Sequence, residues 1–177
     1  CVGVQRVARH PQRSERNACE SRDTGAELFT PLGRVTHMGP IGTGQLTKLA
    51  NQIIVGGTLL AVAEAFTFAR AGGAELAAVR TALSGGFTDS TVLRQHGERM
   101  VNQDYVPGSP SLQQLENLRT AHAQARAMSV DLELLPLLER TFAAMSVSGR
   151  GGQDVAAIFE HVADRSRGTR PNQEEAP

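Results

Sequence analysis

The sequence has little cysteine, no excess of charge of either sign and no long apolar run. Its two cysteines, Cys1 and Cys19, lie in a polar N-terminal stretch, which argues against a disulfide framework. Eighteen basic residues balance 18 acidic ones, so no net field attracts nucleic acid or an anionic membrane. No uninterrupted apolar run approaches the roughly 18 residues of a membrane span, and no secretory signal opens the chain. We therefore expect a cytoplasmic protein with neither nucleic acid nor a membrane as partner.

The composition is that of a globular domain, with 40% hydrophobic and 20% charged residues over 177 positions. Residues 1–25 differ from the rest, because they show no sustained apolar period and are rich in Arg. We expect residues 1–25 to be a disordered or non-native leader. A basic arm for nucleic acid is the alternative, and interspersed acidic residues weigh against it. Residues 167–177 are expected to form a disordered tail.

From residue 42 onward the apolar residues recur with helical spacing. Glycines, prolines and capping residues divide this pattern into segments. The predicted helices span about 43–71, 74–84, 90–102, 111–128, 134–148 and 153–166. Ser90 and Ser111 are expected to cap the third and fourth of these helices. Residues Arg34 to Thr36 are the only segment with a strand pattern. Helices joined by short turns predict an all-α domain.

The segment GPIGTGQLTKLANQ, residues 39–52, places one lysine among amides near the start of the longest helix. At about 100° per residue, Lys48 shares an arc with Gly44, Asn51 and Gln52, and this face becomes apolar further on. A helix that is apolar on all sides is buried, so we expect Lys48 on the floor of a cleft. There, burial would ease transfer of its proton to a carbonyl oxygen. The alternative is a lysine that reaches solvent from a helix end.

The same segment resembles the catalytic-lysine motif of the β-hydroxyacid dehydrogenases, the family of 3-hydroxyisobutyrate dehydrogenase and tartronate semialdehyde (2-hydroxy-3-oxopropionate) reductase. The family motif Gly-x-x-x-Lys-x-x-Asn is matched by Gly44, Lys48 and Asn51, and the reductases continue KLANQ, as here. The resemblance runs from about Ala26 to Val162. It implies a helical C-terminal domain of the 6-phosphogluconate dehydrogenase-like type, led by one long helix, that forms homodimers and works with a Rossmann domain holding NAD or NADP.

By this resemblance, residues 42–166 are the helical dehydrogenase domain and residues 26–41 are a remnant of the Rossmann domain's end and the junction. The resemblance also assigns roles. Lys48 protonates the aldehyde oxygen of a small semialdehyde or takes the hydroxyl proton of the 3-hydroxy acid. Gly44, Asn51 and Ser90 contact the substrate. For Ser90, a helix cap that needs no ligand is an equal alternative.

Two features depart from the family pattern. The Gly-x-Gly-x-x-Gly fingerprint of a Rossmann domain is absent, since GPIGTG at residues 39–44 matches the junction instead. Together with the first residue, which is not Met, and the change in composition near Ala26, this absence predicts a truncated or frame-shifted product. Glu116 stands where the family has a lysine that faces the cofactor, and the exchange of charge weakens cofactor binding unless Arg119 compensates. Alternatively, Glu116 is a solvated helix residue without a ligand.

The sequence thus predicts the catalytic-lysine domain of an NAD(P)-dependent oxidoreductase that interconverts a small 3-hydroxy acid and its semialdehyde. The alternative is a non-catalytic dimerisation remnant of such an enzyme. An imine reductase is a second enzyme alternative, and Lys48 argues against it, because those enzymes usually replace this lysine. Asp154 is expected to cap a helix rather than to catalyse. The histidines show no metal-ligand spacing, so no metal is expected, and His96 is placed on an exposed face without a role.

Overall fold

The computed structural model describes residues 36–168, and their regular elements are helical. Six α-helices follow one another within this range: α1 (Thr43–Ala71), α2 (Leu76–Leu83), α3 (Thr91–Asn102), α4 (Ser111–Ala127), α5 (Leu134–Met145) and α6 (Ile158–Gly168). A π-helical turn, Ser146–Arg150, follows α5, and a 3₁₀ turn, Val155–Ala157, precedes α6. The predicted all-α class is confirmed. The predicted leader and strand, together with most of the junction and tail, lie outside the described residues.

The contacts divide the chain into two units, Cys1–Lys48 and Leu49–Pro177. In the described part of the first unit, a turn at Gly39 and Gly42 leads into α1. Both glycines have positive φ angles, 118° and 100°, which a residue with a side chain rarely adopts. The N–H and the hydroxyl of Thr43 both donate to the carbonyl oxygen of Pro40, at 3.2 and 2.8 Å, and so close the turn.

The second unit contains the hydrophobic core. The rings of Phe66 in α1 and Phe159 in α6 meet edge to face, with centroids 6.3 Å apart and planes at 88°, a preferred geometry for aromatic pairs. Burying a side chain of this size stabilises the fold by about 1.5–3 kcal/mol. The largest fully buried side chains come from every helix except α2: Leu59, Phe66, Leu93, Met100, Leu115, Leu118, Leu135, Leu138, Phe142, Met145, Ile158 and Phe159.

The cap predicted for α4 and the start predicted for the last helix are wrong. α4 begins at Ser111 as predicted, but its N-cap is Pro110, and the Ser111 hydroxyl donates to the main-chain oxygen of Asp154 at 3.2 Å. The last helix begins at Ile158 rather than at residue 153, because Asp154 caps the 3₁₀ turn that comes first. At its other end α6 continues to Gly168, two residues into the predicted tail.

α1 is less buried than its sequence predicts. Although charged and polar side chains interrupt its apolar runs, the helix is long and apolar enough to cross a membrane by length and composition. One such helix is weak evidence for a membrane, because core helices of soluble proteins pass the same test. Only 33% of its most apolar 18-residue window is buried, and Ile54 and Phe68 are 67% and 82% exposed. The expectation of a helix buried on most sides is therefore wrong.

Candidate functional site

The residues predicted to carry chemistry lie at the start of α1. In the first unit, Gly44 is half-buried in the first helical turn, and Lys48 follows one turn later with an exposed side chain. In the second unit, Asn51 is exposed and Gln52 is half-buried. Within residues 36–168 the side chains of Lys48 and Asn51 are therefore accessible, and a cleft around Lys48 stays a prediction.

Three side-chain amides connect α1 to α4. The Nδ2 atom of Asn51 donates to Oε1 of Gln52 at 3.1 Å, and Nε2 of Gln52 donates to Oε1 of Gln114 at 2.9 Å. The Nε2 atom of Gln114 donates back to the main-chain oxygen of Gln52, also at 2.9 Å. Gln114 is only 3% exposed, and these bonds satisfy its amide, so its burial carries no unpaired polar group. We call Asn51, Gln52 and Gln114 the amide relay.

Two adjacent glycines let the neighbouring helices approach α1 beside the amide relay. A Cβ atom at Gly56 would lie 3.1 Å from Nε2 of Gln114 and 3.3 Å from Cδ1 of Leu138 in α5. A Cβ atom at Gly57 would lie 3.0 Å from Cδ2 of Leu134. The absence of a side chain at Gly56 is therefore what lets the Gln114 amide reach the main chain of α1.

Ser90 caps α3, as its sequence predicts. Its backbone is extended, and its Oγ atom accepts a hydrogen bond from the N–H of Leu93 at 3.0 Å. This bond satisfies one of the free N–H groups at the start of the helix. The cap accounts for the hydroxyl without a ligand, and a contact between Ser90 and substrate stays a prediction.

Glu116 is exposed on α4, and the cation expected to compensate its charge is engaged elsewhere. The Nε atom of Arg119 lies 3.8 Å from Oε1 of Glu139 in α5. The other oxygen of Glu139 lies 2.6 Å from Nδ1 of His122. Arg119 and His122 thus link α4 to α5 through one carboxylate. The negative charge that Glu116 brings to this surface is not offset by Arg119.

The buried carboxylate of Asp154 holds the loop between α3 and α4. Its side chain is 0% exposed. Its Oδ2 atom accepts hydrogen bonds from the N–H groups of Gly108 at 3.1 Å and Ser109 at 3.0 Å, and from Nη1 of Arg99 at 2.8 Å. Its Oδ1 atom accepts the N–H of Ala156 at 3.0 Å, which confirms the predicted cap. We call Asp154 and these donors the carboxylate hub.

His96 completes the surroundings of the carboxylate hub. Its side chain is 22% exposed, and its Nδ1 atom lies 3.5 Å from Oδ1 of Asp154, so the expected exposed position without a role is wrong. Burial alone would raise the pKa of Asp154, but the adjacent His96 and hydrogen bonds from backbone N–H groups outweigh it and hold the pKa well below its usual range. Among residues 36–168, no group of three His, Cys, Asp or Glu side chains is arranged to hold a metal ion.

Comparison with known proteins identifies the family. Residues 42–162 match the family described as "NAD-binding of NADP-dependent 3-hydroxyisobutyrate dehydrogenase". The chain belongs to this family. It is 37% identical over 134 residues to 2-hydroxy-3-oxopropionate reductase of Escherichia coli (strain K12), a match that covers 75% of this chain and 46% of that protein. The family is one of NAD(P)-dependent dehydrogenases, so the predicted resemblance and cofactor class are confirmed.

A second relative is the probable 3-hydroxyisobutyrate dehydrogenase-like 1, mitochondrial, of Arabidopsis thaliana. It is 28% identical over 132 residues, which are 75% of this chain and 40% of that protein. The chain thus spans less than half the length of these two curated relatives.

Solved structures agree with the fold. A 3-hydroxyisobutyrate dehydrogenase from Salmonella typhimurium superposes with a TM-score of 0.65 at 23% identity, over 72% of this chain and 44% of that one. The Mycobacterium tuberculosis 3-hydroxyisobutyrate dehydrogenase, solved with L-serine, superposes with a TM-score of 0.71 at 18% identity, over 84% of this chain and 52% of that one. At these identities the likeness shows the fold alone.

Proposed function

We propose that residues 42–162 form the acid–base domain of an NAD(P)-dependent oxidoreductase that interconverts a small 3-hydroxy acid and its semialdehyde. The observation that carries the proposal is the family match over 42–162, a range that includes Gly44, Lys48 and Asn51 at the motif spacing. The exposure of Lys48 and Asn51 supports it, because a substrate can reach both side chains.

In the proposed reaction, the ammonium of Lys48 donates a proton from Nζ to the carbonyl oxygen of the semialdehyde as the carbon is reduced. In the opposite direction, the neutral amine accepts the proton of the hydroxyl group. Asn51 supplies an amide for the same substrate, and an amide can both donate and accept a hydrogen bond. The chain's own contribution is thus proton transfer and orientation of the reacting oxygen.

The dinucleotide supplies the hydride chemistry of this family, and one described residue opposes its binding. Glu116 adds a negative charge where the resemblance puts a lysine, and Arg119 is paired with Glu139. At an effective dielectric constant of about 20, a unit charge at about 4 Å is worth roughly 4 kcal/mol before screening. Because the sequence also lacks the glycine-rich loop that binds the pyrophosphate, we expect the 177-residue chain alone to show no micromolar binding of NADPH by calorimetry.

A fusion protein tests the proposed activity. The nucleotide-binding half of the E. coli reductase, joined to residues 42–168 of this chain, should oxidise NADH or NADPH when 2-hydroxy-3-oxopropionate is added. The reductase with its own helical half is the positive control. A folded fusion that binds the cofactor and leaves this semialdehyde and the semialdehyde of 3-hydroxyisobutyrate unreduced would contradict the proposal and favour the dimerisation remnant.

We also propose that two copies of the chain pair through the exposed apolar face of α1. Ile54, Ala61, Ala65 and Phe68 are exposed, and at about 100° per residue they fall within an arc of roughly 60°. An apolar stripe of this kind is typical of an interaction site. Sedimentation should therefore give a dimer of the chain, and Phe68→Lys should weaken it, whereas Val147→Lys, at a side chain 90% exposed beyond α5, should not. A monomer at every concentration contradicts the pairing.

A further inference from the structure

We infer that Gln114 is a positioning residue that fixes the orientation of the Asn51 amide, so that Asn51 turns its oxygen towards a ligand. The inference rests on the proposed function, in which Asn51 meets the substrate. It adds a residue on another helix, α4, whose buried side chain controls how that asparagine is presented. The amide relay carries the inference, and each of its bonds constrains the next.

The relay is anchored at a main-chain oxygen, which can only accept a hydrogen bond. The Gln114 side chain meets the oxygen of Gln52 at 2.9 Å, so the Gln114 atom facing it must be the amide nitrogen. The oxygen of the Gln114 amide is thereby directed to the Gln52 side chain. Because the anchor is a carbonyl, the orientation of the Gln114 amide follows from its surroundings without ambiguity.

The orientation then passes to Asn51. Since Oε1 of Gln114 faces Gln52 at 2.9 Å, the Gln52 atom there must be its nitrogen. The oxygen of Gln52 is left to face Asn51, and it accepts a hydrogen bond from Nδ2 of Asn51 at 3.1 Å. Asn51 therefore uses one N–H inside the protein, and its Oδ1 atom is on the side away from Gln52. A ligand at Asn51 meets Oδ1 as an acceptor, which suits the hydroxyl of a 3-hydroxy acid, and the second N–H of Nδ2 remains as a donor.

Burial makes Gln114 the controlling member of the relay. Gln114 is 3% exposed, Gln52 is half-buried and Asn51 is exposed. An exposed amide exchanges its hydrogen bonds with water at little cost, whereas a buried amide that loses its partners pays a desolvation penalty. Gly56 leaves the space in which the Gln114 nitrogen reaches α1, since a Cβ atom there would lie 3.1 Å away.

Side-chain amide NMR on the full 177-residue chain tests the inference without cofactor or substrate. Gln114→Met keeps the length of the side chain and removes both hydrogen bonds. We expect the ¹⁵N order parameter of the Asn51 side chain to fall to the level of exposed Asn102, and its amide protons to exchange at least twofold faster. Gln113→Met is the matched control, because Gln113 is the exposed neighbour of Gln114 on α4, and it should leave Asn51 unchanged.

A second variant covers the case in which Gln114→Met does not fold. Gln52→Met cuts the relay at a half-buried position on α1 and should produce the same change at Asn51. An Asn51 amide that is unchanged in either folded variant overturns the inference. Because no turnover is measured, this failure is distinct from failure of the proposed function, which is an inactive fusion protein with an intact relay.

Discussion

The carboxylate hub and the amide relay show two ways in which one small helical domain holds buried polar groups. The hub surrounds a charge: Asp154 is fully buried, and Arg99 with three backbone N–H groups supplies its hydrogen bonds. The relay is neutral and runs from buried Gln114 outward to exposed Asn51. The carboxylate at the centre of the hub is enclosed by its donors, whereas the last amide of the relay is exposed to solvent.

This difference separates stability from function. A buried charge with fixed partners is costly to disturb, since removal of one partner leaves the others unpaired in a poorly solvated place. A hydrogen bond between neutral amides contributes about 1 kcal/mol to the stability of the fold. The relay therefore stabilises the fold little, and we infer that it serves to orient its exposed end. We expect substitutions in the hub to lower stability strongly, and substitutions beside the relay to have smaller effects that depend on packing.

The largest effect on stability is expected for Asp154→Ala. The change leaves Arg99 and the N–H groups of Gly108, Ser109 and Ala156 without their acceptor, and should lower the free energy of unfolding by about 3–5 kcal/mol. Urea denaturation followed by circular dichroism measures this loss. Asp164→Ala is the control, because the Asp164 side chain is 44% exposed in its pairs with Arg150 and Arg167 and should change stability by less than about 1 kcal/mol. Equal losses in the two variants would contradict the special role of the hub.

The hub should also make stability depend on pH in acid. The pKa of Asp154 is lowered in the folded state, so the unfolded state takes up the proton first as the pH falls below about 4. In that range the unfolded chain binds more protons, so the free energy of unfolding falls with falling pH. Asp154→Asn should flatten the dependence of stability on pH below about 4. A variant whose acid dependence equals that of the wild type would show that Asp154 is not its source.

Smaller and opposite effects are expected at the glycine pair beside the relay. Gly56→Ala places a Cβ atom against buried Gln114 and Leu138, and the resulting strain of about 1–3 kcal/mol should exceed the roughly 1 kcal/mol gained from helix propensity. Gly57→Ala meets the terminal methyl of Leu134, which is 43% exposed and free to turn aside. We expect Gly57→Ala to be neutral or to stabilise by up to about 1 kcal/mol. Thermal unfolding compares the two, and a reversed order would contradict this packing.

Features set by neighbours in sequence were predictable. The end of α1 at Ala71 follows from Gly72 and Gly73, of which Gly73 has a φ of 86°. Ser90 bonds a backbone N–H three residues away, and Asp154 caps its own turn. The family motif around Lys48 is also contiguous. In each case the partners lie within one or two turns, so a pattern in the sequence contains them.

Features set by distant partners were not predictable. Gln114 lies 62 residues from Gln52, and Arg99 lies 55 residues from Asp154, so neither bond leaves a local pattern. The prediction for Ser111 is wrong for the same reason, since its hydroxyl bonds a residue 43 positions away. The sequence left the exposure of Lys48 open, because helical periodicity shows which residues share a face and not which neighbours cover it.

The central claim is that Lys48 transfers the proton, and Lys48→Ala in the active fusion protein tests it most directly. With saturating semialdehyde and cofactor, the turnover number should fall by about 10²–10⁴-fold, because proton transfer by a positioned side chain is worth that much. Thr47→Ala, at the exposed neighbour of Lys48 on α1, should leave turnover near the wild-type value. A fall of less than threefold in Lys48→Ala would remove this lysine from the chemical step.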